Sequence, residues 1–342
     1  MKLFDSVVTS KMTQLDTVIY GHIQRKTKVN PNNEIIKQYA YEDVINRKNQ
    51  IKSYIKQLSK LRKLPLIKQR TPEWFNIRKN CLTASDLEDA IGKNHIMLAK
   101  KKAGVIRDTT NYTNIRPLKW GVMFEDMASR CYSQSRNNIE IFEFGLITDE
   151  SQQHFGASPD GINEMGIMIE IKCPYSRKIV DNYVPRKYYT QIQGQLATCC
   201  LQECDYIECD FEAYDNIITY KEYIHENFPE NCLVNHGVIA EYKHILTGEY
   251  FYLYSDANNN VDDAIANIEQ KVKTFISNDY TFVRFTPWHL KQMNVQRVMF
   301  DKDMWVEILP KIDLFWENVE NCKNLPIEEV KQKSKFQFIA ED

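Results

Sequence analysis

The sequence predicts a mixed α/β fold, with a central mixed sheet flanked by helices, a helical addition before it and an α+β addition after it. Three observations carry this expectation. Apolar residues recur at helical spacing through residues 33–62 and 118–135. Between 139 and 171 the pattern changes to short strands broken by a Pro-Asp-Gly turn. Helical spacing returns at 185–201, and a further strand follows at 206–214. With 342 residues, 43% hydrophobic and 26% charged, the chain can bury such a core without staples and does not have the composition of a disordered protein.

Element by element, the first stripe runs through Ile35, Ile36, Tyr39, Val44, Ile45, Ile51, Tyr54, Ile55 and Leu58, and Pro65 marks its end. Thr71-Pro72-Glu73-Trp74 has the form of a helix start, with Thr71 as N-cap and Pro72 in the first turn. A short helix is expected from Ser85 or Asp86 to Gly92, then a Lys-, Asn- and Thr-rich loop over 93–116 carrying Lys100, Lys101, Lys102 and Arg107. The next helix, 118–135, has Trp120, Phe124, Met127, Ala128 and Cys131 on one face. Strands are expected at 139–147, 155–157 and 167–171. Beyond residue 215, the pattern predicts a hairpin around Thr247-Gly248, helices at 260–276, 287–298 and 302–320, and a short helix after Pro326. The expected organisation is a basic helical extension over 1–68, a core over 69–214, and a C-terminal α+β extension over 215–342 packed on the core.

Charge is unevenly spread. The 44 basic and 46 acidic residues give a net −2, which alone speaks against a nucleic-acid partner. Residues 1–70, however, hold 15 Lys and Arg against 5 Asp and Glu, a local +10, and the rest of the chain carries −12. The basic residues 1–70, like the Lys100–Arg107 segment, read either as a solvated face or as a surface that meets DNA. Nine cysteines with no paired spacing read as reduced thiols in an intracellular compartment. Neither a signal-peptide h-region nor an apolar run long enough to span a membrane is expected.

The chemistry concentrates in Gly156-Ala-Ser-Pro-Asp160-Gly161 and, ten residues after Asp160, Glu170-Ile171-Lys172. Glu170 and Lys172 are two apart on a predicted strand and so share a face, while Ile171 turns its side chain into the core and keeps its carbonyl available. Charged residues inside an apolar strand are tolerated when paired or when they hold a metal. Two carboxylates and a carbonyl oxygen are hard ligands suited to Mg²⁺, with a lysine beside them able to act on the attacking water if its pKa falls.

These residues resemble the PD-(D/E)xK nucleases, and more narrowly the lambda-exonuclease-like, YqaJ-type viral recombinase family. Four blocks in order carry the resemblance: Glu73-Trp74-Phe-Asn-Ile-Arg78 with Leu82-Thr-Ala-Ser85-Asp86; Lys119-Trp-Gly-Val-Met-Phe-Glu125-Asp126; the Asp160, Glu170, Lys172 core; and Tyr188-x-x-Gln191-x-Gln193-Gly-Gln195. It implies a restriction-endonuclease-like core with Asp160, Glu170 and the Ile171 carbonyl as metal ligands, Glu125 completing the site or holding a second ion, and Lys172 as catalytic lysine. It further implies that Gln191 supports the lysine and the water, with Tyr188 one turn before it. Arg78 and Ser85 match a 5′-phosphate pocket, and Tyr188, Lys100, Lys101, Lys102 and Arg107 are assigned to the DNA-contacting surface. The implied activity is a Mg²⁺-dependent 5′–3′ exonuclease, using one or two ions with Mn²⁺ as a substitute. Its substrate would be double-stranded DNA ends, with a ring-shaped homotrimer and a single-strand annealing protein as partners. The setting would be a host cytoplasm or virus factory. A broader endonuclease or alkaline nuclease, and a catalytically silent DNA-binding scaffold, are the alternative readings.

Overall fold

A computed structural model of the chain describes residues 34–65, 67, 71–108, 115–148, 154–228, 235–256 and 260–330. The first stripe forms helix α1 (Glu34–Leu61). It buries Ile51, Tyr54, Leu58 and Leu61 against the core, each aliphatic side chain stabilising by roughly 1.5–3 kcal/mol. The contact is close at Gly166, whose φ is +76° and where an added Cβ would lie 2.6 Å from the Tyr54 carbonyl. Only glycine meets both demands.

Helix α2 (Pro72–Asn80) starts as expected, the Trp74 N–H donating to the Thr71 hydroxyl at 3.3 Å. Strand β1 (Leu82–Thr83) leads through a 3-10 turn, Ala84–Asp86, to helices α3 (Leu87–Ile91) and α4 (His95–Lys102). The loop expected over 93–116 is therefore helical where Lys100, Lys101 and Lys102 sit. Leu98 and Ala99 pack there with Ile308, Ile312 and Phe315, partners too distant in sequence to be read locally. Strand β2 (Ile106–Asp108) follows, then helix α5 (Arg116–Ser135), which buries Met123, Phe124, Met127, Ala128, Cys131 and Tyr132.

The strand expected over 139–147 is two, β3 (Ile141–Phe142) and β4 (Ile147–Thr148), in different sheets. Strands β5 (Phe155–Ala157), β6 (Gly161–Asn163) and β7 (Met168–Lys172) precede helix α6 (Arg186–Cys199) and strand β8 (Glu203–Ala213). Helix α7 (Ile217–Asn227), the expected hairpin β9 (His236–His244) and β10 (Tyr250–Tyr254), and helix α8 (Val261–Thr274) come next.

Residues 287–298 correct the reading as a helix, since they lie in strand β11 (Tyr280–Met299). This strand runs antiparallel between β8 and β9, with register shifts at Phe282/Arg284 and Leu290/Gln292. Helix α9 (Lys302–Cys322) is followed not by a helix but by strand β12 (Glu328–Val330), parallel to β2.

The main sheet has the order β10-β9-β11-β8-β7-β6-β3, with β7 and β8 parallel and the other pairs antiparallel. A three-stranded sheet, β1-β5-β4, stands beside it. The C-terminal β11 thus completes the sheet that carries β7, and α9 packs on α3 and α4. Among the described residues no helix is long and apolar enough to cross a membrane.

Where α1 meets β8 and β11, Glu203 and Asp205 are buried and take Arg297 between them, with Arg47 and the Tyr54 hydroxyl completing Glu203 and the Tyr132 hydroxyl completing Asp205. Of the basic residues in 1–70, Arg47 is thus paired inside the protein, while residues 1–33 of that segment lie outside the described residues. Burial alone would raise the Glu203 pKa, but the Arg47 hydrogen bond and Arg297 overcome it and hold the carboxyl below its usual range. A carboxyl depressed in the folded state stabilises above its unfolded pKa, and that contribution is lost as pH falls through the lower folded value. The expected result is a urea midpoint that drops below about pH 4.5, with a shallower drop in Glu203→Gln.

Candidate active site

Two parallel strands set the site. Leu82 pairs with Phe155 and Thr83 with Gly156, so the chain leaves β1 toward Ser85 and β5 toward Ser158 and Asp160 at the same end. Strand β6 pairs with β7 only at Gly161–Ile169 and Ile162–Met168. Ile171 extends beyond it, and its N–H donates instead to Asp160 Oδ2 at 2.6 Å. The N–H and C=O of one strand residue leave on the same side, so the Ile171 carbonyl faces the opening that Asp160 occupies.

Glu170 is fully buried. Its Oε1 accepts from Gln191 Nε2 at 2.6 Å and from the Lys172 ammonium, and its Oε2 accepts from Gln195 Nε2 at 2.8 Å. Gln191 and Gln195 are one turn apart on α6 and close on the carboxylate together. Gln191 therefore clamps Glu170, where support of the lysine and the water had been implied. Gln195 stands in the sequence motif without a role, although its i, i+4 spacing from Gln191 is the signal that pairs them. Gln193 turns to the Met299 carbonyl at 3.0 Å and to the Asp301 N–H at 2.7 Å, and ties α6 to α9.

Lys172 also lies 5.0 Å from the Tyr188 ring centroid, so Tyr188 belongs to this cleft rather than to the Arg78 cluster. Burial would lower the lysine pKa, but Glu170 and Asp160 outweigh it and raise it. Without a bound ion the two adjacent carboxylates hold the proton on, and the downward shift expected from the sequence belongs to a site that holds a cation. Asp160 is pushed well above the usual carboxylate range, first by burial and then by repulsion from Glu170 and Glu125, against the pull of Lys172 and the Ile171 N–H.

Glu125, on α5, lines with Asp160 and Ile171 a cleft of about 800 Å³, and with Ile171, Lys172 and Tyr188 a second of about 830 Å³. Three carboxylates face one lysine here, and a divalent cation would relieve the repulsion that raises Asp160. The donor set fits such an ion at Asp160, Glu170 and the Ile171 carbonyl. Among the described residues no three His, Cys, Asp or Glu side chains are arranged to hold a metal ion as they stand, so a cage completed by Glu125 is not preassembled. The Glu170 oxygens are already committed to Lys172, Gln191 and Gln195.

A raised acid pKa means that the folded state binds the proton more tightly than the unfolded one, so the ionised Asp160 costs stability at neutral pH and less as pH falls. The expected result is that Asp160→Asn raises the melting temperature in chelator while Mg²⁺ no longer stabilises the variant, as thermal melts at pH 7 with and without the ion would read.

The second cluster forms around the Thr83 hydroxyl. Arg78 Nη2 lies 3.3 Å from it and 3.4 Å from the Ser85 hydroxyl, and the two hydroxyls are 3.0 Å apart. Thr83 donates to Asp86 Oδ2 at 3.0 Å. The Arg78 guanidinium rests 4.5 Å from the Trp74 ring, which fixes its direction. The structure thus brings Arg78 and Ser85 together and adds Thr83. Ser85 lies in the 3-10 turn rather than at the start of a regular helix. Near Asp160, the buried Ser158 hydroxyl has no hydrogen-bond partner. Lys102 reaches the cluster from α4, its ammonium donating to the Arg78 and Cys81 carbonyls at 2.8 Å each. Lys100 and Lys101 are half-buried on α4, and the side chain of Arg107 lies outside the described residues.

One helix spans both clusters. On α6, Gln191 and Gln195 hold Glu170, while an added Cβ at Gly194 would meet Leu87, Phe155 and Ala84 at 3.0–3.3 Å. Thr190 donates to Glu88 at 2.7 Å from the same helix. His154, near Asp160 in sequence, packs on Trp316 at 5.0 Å and takes no part in either cluster. Cys199, Cys204 and Cys209 are buried thiols whose pKa values are raised by desolvation, and no cysteine among the described residues forms a disulfide.

Residues 73–202 match the family described as the YqaJ-like viral recombinase domain. An uncharacterized protein of Acanthamoeba polyphaga mimivirus is 24% identical over 333 residues, an alignment that covers 82% of this chain. The chain spans 59% of the length of that viral relative. Among solved structures, an alkaline exonuclease from Laribacter hongkongensis aligns with 20% identity and a TM-score of 0.43, over 73% of this chain and 93% of that one. A phage-related exonuclease from Haemophilus somnus aligns with 11% identity and a TM-score of 0.38, over 76% and 96% respectively.

Proposed function

We propose that this chain, whose residues 73–202 carry a YqaJ-like viral recombinase domain, is a metal-dependent deoxyribonuclease that hydrolyses duplex DNA from 5′-phosphorylated ends and leaves 3′ single strands for recombination or repair. The observation that carries the reading is the pairing of two unlike clusters at one end of β1 and β5: the acidic Asp160, Glu170 and Lys172 group, and the Arg78, Thr83 and Ser85 group.

Mg²⁺ bound at Asp160, Glu170 and the Ile171 carbonyl would polarise the scissile phosphate and lower the pKa of a bound water. Gln191 and Gln195 hold the Glu170 carboxylate in position, and ligating an ion through it would require one of these hydrogen bonds or the Lys172 pair to be shared or released. Lys172, paired with Glu170 beside Asp160, stands where its Nζ can meet the attacking water or the phosphate oxygens, and Tyr188 limits where that group can point. Arg78 offers a fork of donors and Ser85 and Thr83 add hydroxyls, a set matched to a terminal phosphate.

The test is digestion of a 5′-phosphorylated linear duplex and a covalently closed circle with Mg²⁺. The linear duplex should be consumed and the circle left intact, whereas equal cutting of both assigns an endonuclease. Arg78→Ala should reduce kcat/KM on the 5′-phosphorylated duplex by about 10- to 100-fold and on a 5′-hydroxyl duplex far less. A ring of subunits belongs to the same proposal, and sedimentation velocity with and without duplex reads it.

A further inference from the structure

Lys102 is the least expected member of the Arg78 cluster. Its segment reads as a loop in the sequence, yet it forms helix α4, the side chain is 11% exposed and its ammonium lies under the turn that joins α2 to β1. An ammonium has three N–H groups. Two are spent on the Arg78 and Cys81 carbonyls at 2.8 Å. Asp86 Oδ2, at 3.9 Å, is beyond hydrogen-bonding distance, and among the described residues no other acceptor is recorded for it. That same Asp86 oxygen accepts from the Thr83 hydroxyl at 3.0 Å, and Thr83 touches both Arg78 and Ser85. The cluster therefore holds two fixed cations, Arg78 and Lys102, against a single carboxylate that is one-third exposed.

We propose that Lys102 is a positioning and specificity residue for the terminal phosphate, tying Arg78 and Cys81 in place and supplying a second cation, so that a 5′-phosphate is distinguished from a 5′-hydroxyl by charge as well as by hydrogen bonds. The inference rests on the proposed end recognition by Arg78 and Ser85. Burial depresses the Lys102 pKa in spite of the attraction of Asp86, the mark of an ammonium with less negative charge around it than its burial calls for. A phosphate at Thr83 and Ser85 brings that charge. Asp86 then acts as the resident counter-ion that the phosphate competes with.

The test measures affinity of the full chain for two otherwise identical duplexes, one 5′-phosphorylated and one 5′-hydroxyl, in Ca²⁺ so that turnover does not intervene. Lys102→Met should lose at least about tenfold of the wild-type preference for the phosphorylated end while its affinity for the hydroxyl end stays within about twofold, and Lys102→Arg should restore part of the preference. A Lys102→Met protein that melts like wild type and keeps the full preference overturns the proposal. Asp86→Asn provides a check that leaves Lys102 in place. It should raise the preference severalfold, because the phosphate then meets both cations without a competitor, and an unchanged or reduced preference overturns the proposal even where Lys102→Met fails to fold. A wild-type protein with no preference between the ends would instead remove the end-recognition reading on which the inference stands.

Discussion

Lys172→Ala is expected to lower Mg²⁺-dependent hydrolysis by a factor of at least about 10³ while leaving duplex affinity within a few-fold of wild type. The side chain is held by Glu170 and Tyr188 beside Asp160, which accepts from the Ile171 N–H, and under the proposed function its charge faces the reacting phosphate. Single-turnover rates and filter binding in Ca²⁺ separate the two quantities. Cleavage at the wild-type rate would remove the proposed mechanism, and a parallel collapse of affinity would make the residue a general DNA contact. Gln195→Ala should fall between these limits, losing rate with little change in affinity, because Gln195 is buried and holds Glu170.

Arg297→Met carries the largest expected loss of stability, about 3 kcal/mol. Removing the guanidinium leaves Glu203 to Arg47 and Tyr54, and leaves buried Asp205 with only the Tyr132 hydroxyl among the contacts described above. An uncompensated buried carboxylate is costly because its desolvation is no longer offset. Urea unfolding at pH 7 reads the effect, and a midpoint within error of wild type would mean that the network contributes nothing net.

The residues of the acidic site were legible because their logic is local. A spacing of two on a strand puts Glu170 and Lys172 on one face, whereas Gln191 is named in the sequence only through the family resemblance. Gln195, four residues from Gln191, was left without a role, since only the position of Glu170 shows that two donors are needed for its two oxygens. What was not legible is decided by partners far along the chain. Strand β11 contains Leu290, Met293 and Val298, a spacing that suits a helix equally well, and becomes extended because β8 and β9 offer it hydrogen bonds on both edges. Lys102 was misplaced for the same reason, since its helix is held by Ile308, Ile312 and Phe315. The basic N-terminal segment was read from charge alone, and charge does not reveal that Arg47 has a buried carboxylate waiting in β8.

Helix α6 has a consequence for the products of the reaction. The same rigid fourteen-residue rod grips Glu170 on one face and seats against Ala84 and Leu87, beside Ser85, on another. The separation between a captured strand terminus and the bond to be broken is then a constant of the fold, a ruler rather than an adjustable reach. Under the proposed function each cycle should release fragments of one fixed length whatever the base sequence, and a substitution that tilts α6 at Gly194 should change that length as well as the rate.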